Sequence, residues 1–240
     1  MMSSPKRIAI IPARGGSKRI SNKNMHLING TPIIRYIINS AIRSNLFSAI
    51  IVSSDSETIL NYVSEFNEVI PSKRNQALSS DTATIYEVLK SEIESQIKQG
   101  NVYDEVWMLA ATACLLDAND LIEAAGKFSN SSATDGLLAV VKYDVPPQWA
   151  LQINDQNKLI AMSFDSTQSR SQDLIELYHD AGCLAIFRGK TFYTYETNVP
   201  NNFFEPFVMH RFKGIDIDTY EDLSIVEALM KSNFTKNLPT

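Results

Sequence analysis

The chain has 240 residues, 44% hydrophobic and 20% charged, enough to bury a substantial core unaided, and this composition excludes disordered and collagen-like chains. The 22 Lys and Arg stand against 27 Asp and Glu, and the net charge of −5 argues against a nucleic-acid partner, so any anionic ligand must be met by a local basic cluster. No apolar run approaches the ~20 residues of a membrane helix and Met1 to Lys6 carry no export signal, so the expectation is a cytoplasmic chain with no membrane partner and with Cys114 and Cys183 as reduced thiols.

In chain order, Arg7–Pro12 is a β-branched apolar run bounded by Ala13-Arg14-Gly15-Gly16, and it predicts a buried first strand. A polar loop without hydrophobic period runs from there to Asn24. Thr31 as N-cap and Pro32 at the first helical position predict a helix with Ile33, Ile34, Ile37, Ile38 and Ala41 inward. Residues 49–52 predict a second strand. Ser54-Asp55-Ser56-Glu57 then has capping-box spacing ahead of a helix with Ile59, Leu60, Val63 and Phe66. A short strand follows at 68–70. Thr84 and Glu87 form another capping box, with a helix to about Gln99 that Gly100 ends. A strand at 106–110, a helix from Asp117 with Leu121, Ile122 and Ala125 inward, and a strand at 136–141 complete the alternation. This rhythm predicts an α/β fold, a mostly parallel sheet with helices on both faces.

The rhythm breaks after Tyr143. Residues 149–153 and 159–162 flank Asn154-Asp155-Gln156-Asn157 as a hairpin, and 163–180 reads as a long functional loop. Residues 183–187 return to strand, and Asp218-Thr219-Tyr220-Glu221 starts a last helix with Leu223, Val226 and Leu229 on one face. The chain reads as one domain over 1–240 with a minor lobe at roughly 143–205 inserted in it.

Arg14, Lys18, Arg19 and Lys23 concentrate four cations in ten residues of an acidic chain, and Gly15 and Gly16 would let backbone amides approach a ligand. Open α/β sheets bind ligands at the carboxyl ends of their strands, so this loop suits a polyphosphate. It carries neither G-x-G-x-x-G nor G-x-x-x-x-G-K-[ST], which disfavours a nicotinamide dehydrogenase and a P-loop NTPase.

The string IPARGGSKRISNKN, residues 11–24, resembles the signature of the CMP-sialic acid synthetase family, cytidylyltransferases that activate nine-carbon α-keto acid sugars. Further resemblances follow in order: Asn29-Gly30-Thr31-Pro32, Val52-Ser53-Ser54-Asp55, Leu78-Ser79-Ser80-Asp81-Thr82-Ala83 and Asp216-Ile217-Asp218-Thr219. The resemblance implies a Rossmann-like α/β sheet, a homodimer, and a reaction of CTP and a nine-carbon sugar acid with Mg²⁺. It implies that Arg14, Lys18 and Lys23 hold the triphosphate as the catalytic cations, and that Ala13, Asn24, Arg74 and Ala83 complete the nucleotide site. Ser21-Asn22 stands where the family signature usually has Pro followed by Arg or Leu.

Asp216 and Asp218 share a face of an extended segment while Ile217 points inward. Two converging carboxylates suit Mg²⁺, which fills its shell with phosphate oxygens and water. The alternative makes Asp218 the N-cap of the last helix, with Glu221 completing the box; Asp216 has no such role.

Ser169-Arg170-Ser171-Gln172-Asp173-Leu174 and Tyr178-His179-Asp180-Ala181-Gly182 resemble the pseudaminic acid cytidylyltransferase branch of the family. That resemblance implies a sugar site with Gln148, Arg170, Tyr178 and His179, in which Arg170 pairs with the sugar carboxylate. His179 reads equally as a proton donor, a substrate partner or a structural histidine. The stretch from Ala110 to Leu116 lacks the Gln and Arg of N-acetylneuraminate enzymes and so offers that sugar a more apolar wall, although Ala111, Cys114, Trp149 and Ala185 depart from the pseudaminate pattern. Phe203, Phe204 and Phe207 read as a dimer interface or as ordinary core. A CMP-legionaminate or CMP-N-acetylneuraminate synthetase is the alternative within the class. A catalytically silent sugar-nucleotide binding protein is the alternative outside it, and the loop cations together with both aspartates speak against that.

Overall fold

The computed structural model describes residues 4–17, 19–80, 83–131, 134–162, 169–194 and 204–232. Strand β1 is Arg7–Pro12, and after the basic loop two short strands, β2 (Leu27–Ile28) and β3 (Thr31–Pro32), pair antiparallel. Helix α1 (Ile33–Ser44), β4 (Ala49–Ser54), α2 (Glu57–Val63) and β5 (Val69–Lys73) follow. Next come α3 (Ile85–Lys98), β6 (Glu105–Leu109), α4 (Ala118–Asn130) and β7 (Gly136–Lys142). The hairpin β8 (Leu151–Ile153) and β9 (Leu159–Ala161) stands as a separate sheet, with Asn157 at φ 57 in its turn. The chain closes with β10 (Tyr178–Arg188), a helical turn at Gly189–Phe192, β11 (Phe204–Met209) and α5 (Tyr220–Ser232).

The main sheet has seven strands in the order β11-β7-β10-β6-β1-β4-β5. β10 runs antiparallel to both its neighbours, and the other pairings are parallel. Alternation along β1 splits the core. Ala9 and Ile11 pack with residues of α1, α2 and α4 on one face, whereas Ile8 and Ile10 pack with Tyr86, Leu89 and Ile93 of α3 on the other. A third cluster beneath the basic loop joins Ile20, Ile28 and Ile33 to Ile217, Leu223 and Val226.

Several boundaries differ from the sequence reading. Thr31 and Pro32 are spent on β3, so Pro32 is the N-cap of α1 and no side chain caps that helix. Ser56 rather than Ser54 precedes α2, and the Ser54 hydroxyl accepts the Ser56 N–H instead of capping. The box at Thr84 forms as its spacing requires, and the structure adds one at Asp117, closed by Asp120. Ile122 faces solvent, one step off the buried stripe of Leu121, Ala124 and Ala125. Tyr178, His179 and Asp180, expected in a loop, begin β10. Part of the span expected as a lobe is thus a central strand, and the β8–β9 hairpin lies outside the main sheet. Phe204 packs edge-on against Phe187 and Phe207 is buried, so both serve this chain's own core; Phe203 lies outside the described residues.

Candidate active site

The carboxyl ends of β1, β4, β5 and β6 and the amino end of β10 converge on one edge of the sheet. There they enclose a cavity of about 310 Å³ whose wall includes Arg14, Lys23, Asn24, Arg74, Ala83 and Asp216. Six of the expected residues therefore meet in one place. Lys18 lies outside the described residues. Ala13 does not reach the cavity: its N–H continues the ladder onto Ser53 O (2.9 Å) and its side chain is buried in the core.

The loop is braced by protein groups. The Gly15 N–H donates to Asp55 Oδ1 at 2.7 Å, so that amide is committed to the end of β4 rather than free for a ligand. A Cβ on Gly15 would lie 2.8 Å from Ser56 Cβ; glycine is required here for the close approach. Asn24, buried in the short turn Lys23–Met25, donates its amide to Arg14 O at 2.9 Å and so holds the loop's entry against its exit. Arg74 is buried, with Nη2 on Ser53 O (2.8 Å) and Nε on Ser53 Oγ (3.3 Å). Burial lowers its guanidinium pKa, against the pull of Asp55 and Glu92.

At the opposite wall, Ile217 is fully buried between Asp216 and Asp218, as the period of two requires. Lys23 Nζ donates to Ile217 O and to Asp218 Oδ1 (3.2 Å), and Arg19 Nη2 sits 2.8 Å from Asp218 Oδ2. The last helix is capped one residue later than the Asp218–Glu221 alternative. Asp222 N–H donates to Thr219 Oγ1 (3.2 Å), and Thr219 N–H returns to Asp222 Oδ2 (2.8 Å). Asp218 is thereby left to face the loop cations. Asp216 keeps some exposed surface but is hemmed in by protein. That desolvation first, and the Asp218 charge second, push its carboxyl above the ordinary aspartate value.

Asp216 also borders a second cavity of about 500 Å³, which His179 and Arg211 help to line. His179 stacks on Tyr143 with ring centroids 4.9 Å apart, and its Nδ1 lies 2.9 Å from Asp180 O. The other three expected sugar residues line neither cavity. Gln148 donates to Ile175 O (3.0 Å), Tyr178 donates to Glu176 Oε2 (3.0 Å), and Arg170 is exposed ahead of the turn Ser171–Asp173. Gln148 and Tyr178 are drawn off by groups of the 175–176 segment rather than by the sheet edge. Of the apolar stretch, Ala110, Ala111 and Thr112 face the first cavity, whereas Ala113, Cys114 and Leu116 belong to the core.

Sequence reasoning missed Gly182, Arg211 and Lys213. Gly182 lines the cavity with φ +66, and its N–H donates to Asp180 Oδ1 at 2.7 Å; the Asp-Ala-Gly spacing is a turn signal that could have revealed it. Lys213, 5% exposed, carries no such signal.

A glycine-bearing basic loop after the first strand, facing a carboxylate pair across a cavity at the carboxyl edge of a mostly parallel sheet, defines the chain as a nucleotidyltransferase. The cytidylyltransferase family model matches residues 8–234, and the chain belongs to that family. It is 36% identical over 228 residues to a pseudaminic acid cytidylyltransferase of Campylobacter jejuni, a match spanning 95% of this chain and 97% of the relative. With a CMP-N,N′-diacetyllegionaminic acid synthase of Legionella pneumophila it shares 25% over 239 residues, 94% of this chain and 97% of that one. A solved CMP:2-keto-3-deoxy-manno-octonic acid synthetase in complex with CTP superposes with a TM-score of 0.68 at 16% identity, over 95% of this chain and 99% of the other, and so shares the fold. Among the described residues no helix is long and apolar enough to cross a membrane.

Proposed function

We propose that the chain transfers a cytidylyl group from CTP to pseudaminic acid, a nine-carbon α-keto acid sugar, giving the CMP-sugar and pyrophosphate. The observation that carries this reading is the meeting of Arg14, Lys23, Asn24, Arg74 and Asp216 on one cavity. The choice of sugar rests on the 36% identity to a pseudaminic acid enzyme at nearly full length, against 25% to the legionaminic acid enzyme.

In this reading Arg14, Lys18 and Lys23 neutralise the triphosphate. Asn24, Arg74 and Ala83 bound the nucleotide, with Asn24 closing the loop on Arg14 and Arg74 held against β4. The anomeric C2 hydroxyl attacks the α-phosphate from the side of the second cavity, beside His179, and gives up its proton to water as pyrophosphate leaves toward the basic loop. Lys23 bridges loop and carboxylates, so the cation is already positioned when charge builds on the leaving oxygens.

The donor set fits Mg²⁺. Among the described residues no three His, Cys, Asp or Glu side chains cluster to hold a metal alone, and a cation that takes one or two carboxylates plus phosphate oxygens needs no more. Asp216 and Asp218 would hold it. When bound, the metal supplies Lewis-acid stabilisation of phosphoryl charge.

A homodimer belongs to this reading, and the surface that supports it is the lobe rather than the phenylalanine run. Leu151, Ile153, Leu159 and Met162 on and beside the hairpin are each more than half exposed, and Ile175 is 81% exposed. A second copy covering them would also lie close to Gln148, whose amide donates to Ile175 O. The reading places the chain in the cytoplasm, where CTP is available.

The deciding experiment is pyrophosphate release from CTP with a panel of pseudaminate, legionaminate and N-acetylneuraminate. Preference for pseudaminate is expected. Legionaminate as the best substrate would move the assignment within the class, and no release with any sugar would remove it.

A further inference from the structure

Outside the cavity lies a buried charge cluster with no part in the chemistry above. Lys213 is 5% exposed and Asp120 is 2% exposed, and their side chains meet at 2.6 Å. Asp117, at the N-cap of α4, stands 3.5 Å from the same ammonium. Asp120 is also the closing member of that helix's capping box and accepts the Asp117 N–H at 2.8 Å. The cluster thus nails the amino end of α4 to the turn that leaves β11.

That turn leads directly to the carboxylates. Lys213 N–H donates to His210 O (2.8 Å), which sets the turn, and Asp216 comes three residues later. Gly214 lies between; a Cβ there would be 2.9 Å from Val141 Cγ2 and 3.1 Å from Ala181 Cβ, so the backbone is pressed against β7 and β10. Ile217 then anchors the far side in the third cluster. The segment is held at Lys213 and at Ile217, and Asp216 is suspended between the two holds. A buried ion pair adds little stability over a well-packed apolar pair, but it fixes one register, because an unpaired charge in that position is costly.

We infer that the Lys213–Asp120 pair is a positioning strut that sets the place of Asp216 at the cavity wall, acting through the backbone and not by touching substrate. This rests on the cytidylyltransferase reading. Groups that orient metal ligands commonly change affinity or turnover by roughly 10–100-fold when removed.

The test uses the full chain and two readouts: steady-state kinetics, and Mn²⁺ binding in the presence of CTP without sugar, followed by the signal of free Mn²⁺. Lys213→Met is expected to lower kcat and weaken Mn²⁺ binding by about 10-fold or more, with the KM for CTP within about 3-fold. Lys213→Arg, which keeps the pair, is expected to restore both. If Lys213→Met does not fold, Asp120→Asn serves: it keeps the capping acceptor, and it should shift both readouts in the same direction by a smaller factor. A folded Lys213→Met or Asp120→Asn with wild-type kcat and Mn²⁺ affinity, whatever its melting temperature, overturns the strut. An unchanged chain that binds no Mn²⁺ with CTP overturns the proposed chemistry and the strut with it, and that result is distinguishable from the first.

Discussion

The nucleotide edge and the lobe beyond Tyr143 are built on opposite terms. At the edge, polar groups are held by one another: Gly15 N–H by Asp55, Arg74 by Ser53 and Lys23 by Asp218 across elements, and Asn24 by Arg14 within the loop. Around the hairpin beyond Tyr143, Gln148 bonds to Ile175 O, and Leu151, Ile153, Leu159, Met162 and Ile175 are exposed. The described groups of the edge come together within one chain because the strands of a single sheet deliver them. A two-stranded hairpin outside the main sheet has no second layer against which to bury the exposed apolar groups, and the proposed homodimer would cover them.

The sharpest way to test the completeness of the edge is to remove one carboxylate. Asp216→Asn keeps the shape and removes the charge. It should cut turnover at least ~100-fold, about 2.7 kcal/mol of barrier, while the far-ultraviolet circular dichroism stays that of the native fold. Near-normal turnover at limiting Mg²⁺ would detach the pair from the chemistry.

Next in size are the loop cations. Lys23→Ala should lower kcat by roughly 10- to 100-fold and Arg14→Ala should raise the KM for CTP, each on the scale of one charge-assisted contact of about 1.5–3 kcal/mol. Lys6→Ala, at the other end of the sheet, should match wild type. Small equal effects in all three would reduce the loop to a solvated surface.

The lobe side of the comparison is addressed by Ile153→Asp combined with Leu159→Asp. Charges on that exposed face should shift a dimer to monomer at micromolar concentration in light scattering, and should leave CTP-dependent Mn²⁺ binding in place. A wild-type monomer would remove the reason given for the exposed face. The sugar ranking is a separate readout: N-acetylneuraminate is expected to be poorer than pseudaminate by about 10-fold in kcat/KM, or ~1.4 kcal/mol.

The smallest effect concerns the thiols. Burial pushes Cys114 and Cys183 up to about 12 from 9.0, so almost no thiolate exists at pH 8. Iodoacetamide should leave the native chain unmodified there and label both residues in denaturant. A thiol raised in the fold stabilises it fully below pH 9 and loses that contribution as pH climbs toward 12. Cys183→Ala should therefore flatten the alkaline limb of stability measured against pH.

Much of this was legible in the sequence because it is local. The β-branched run of Arg7–Pro12, the box at Thr84, the helix start at Asp117, the cation density after β1 and the period of two at Asp216 and Asp218 each depend on a few adjacent residues. Backbone geometry then places them almost without regard to the rest of the chain. What only the tertiary structure decided depends on partners far away along the chain. Thr219–Asp222 and Asp218–Glu221 have the same capping spacing, and the choice falls to Lys23 and Arg19, which take Asp218 from a loop nearly two hundred residues earlier. β10 turns antiparallel in the middle of the sheet because its register with β6 and β7 buries Leu184 and Ile186, a pairing that short apolar runs leave open. Lys213 reads as a surface cation until α4 sets Asp120 against it, because burial is a property of the packed whole and not of the residue.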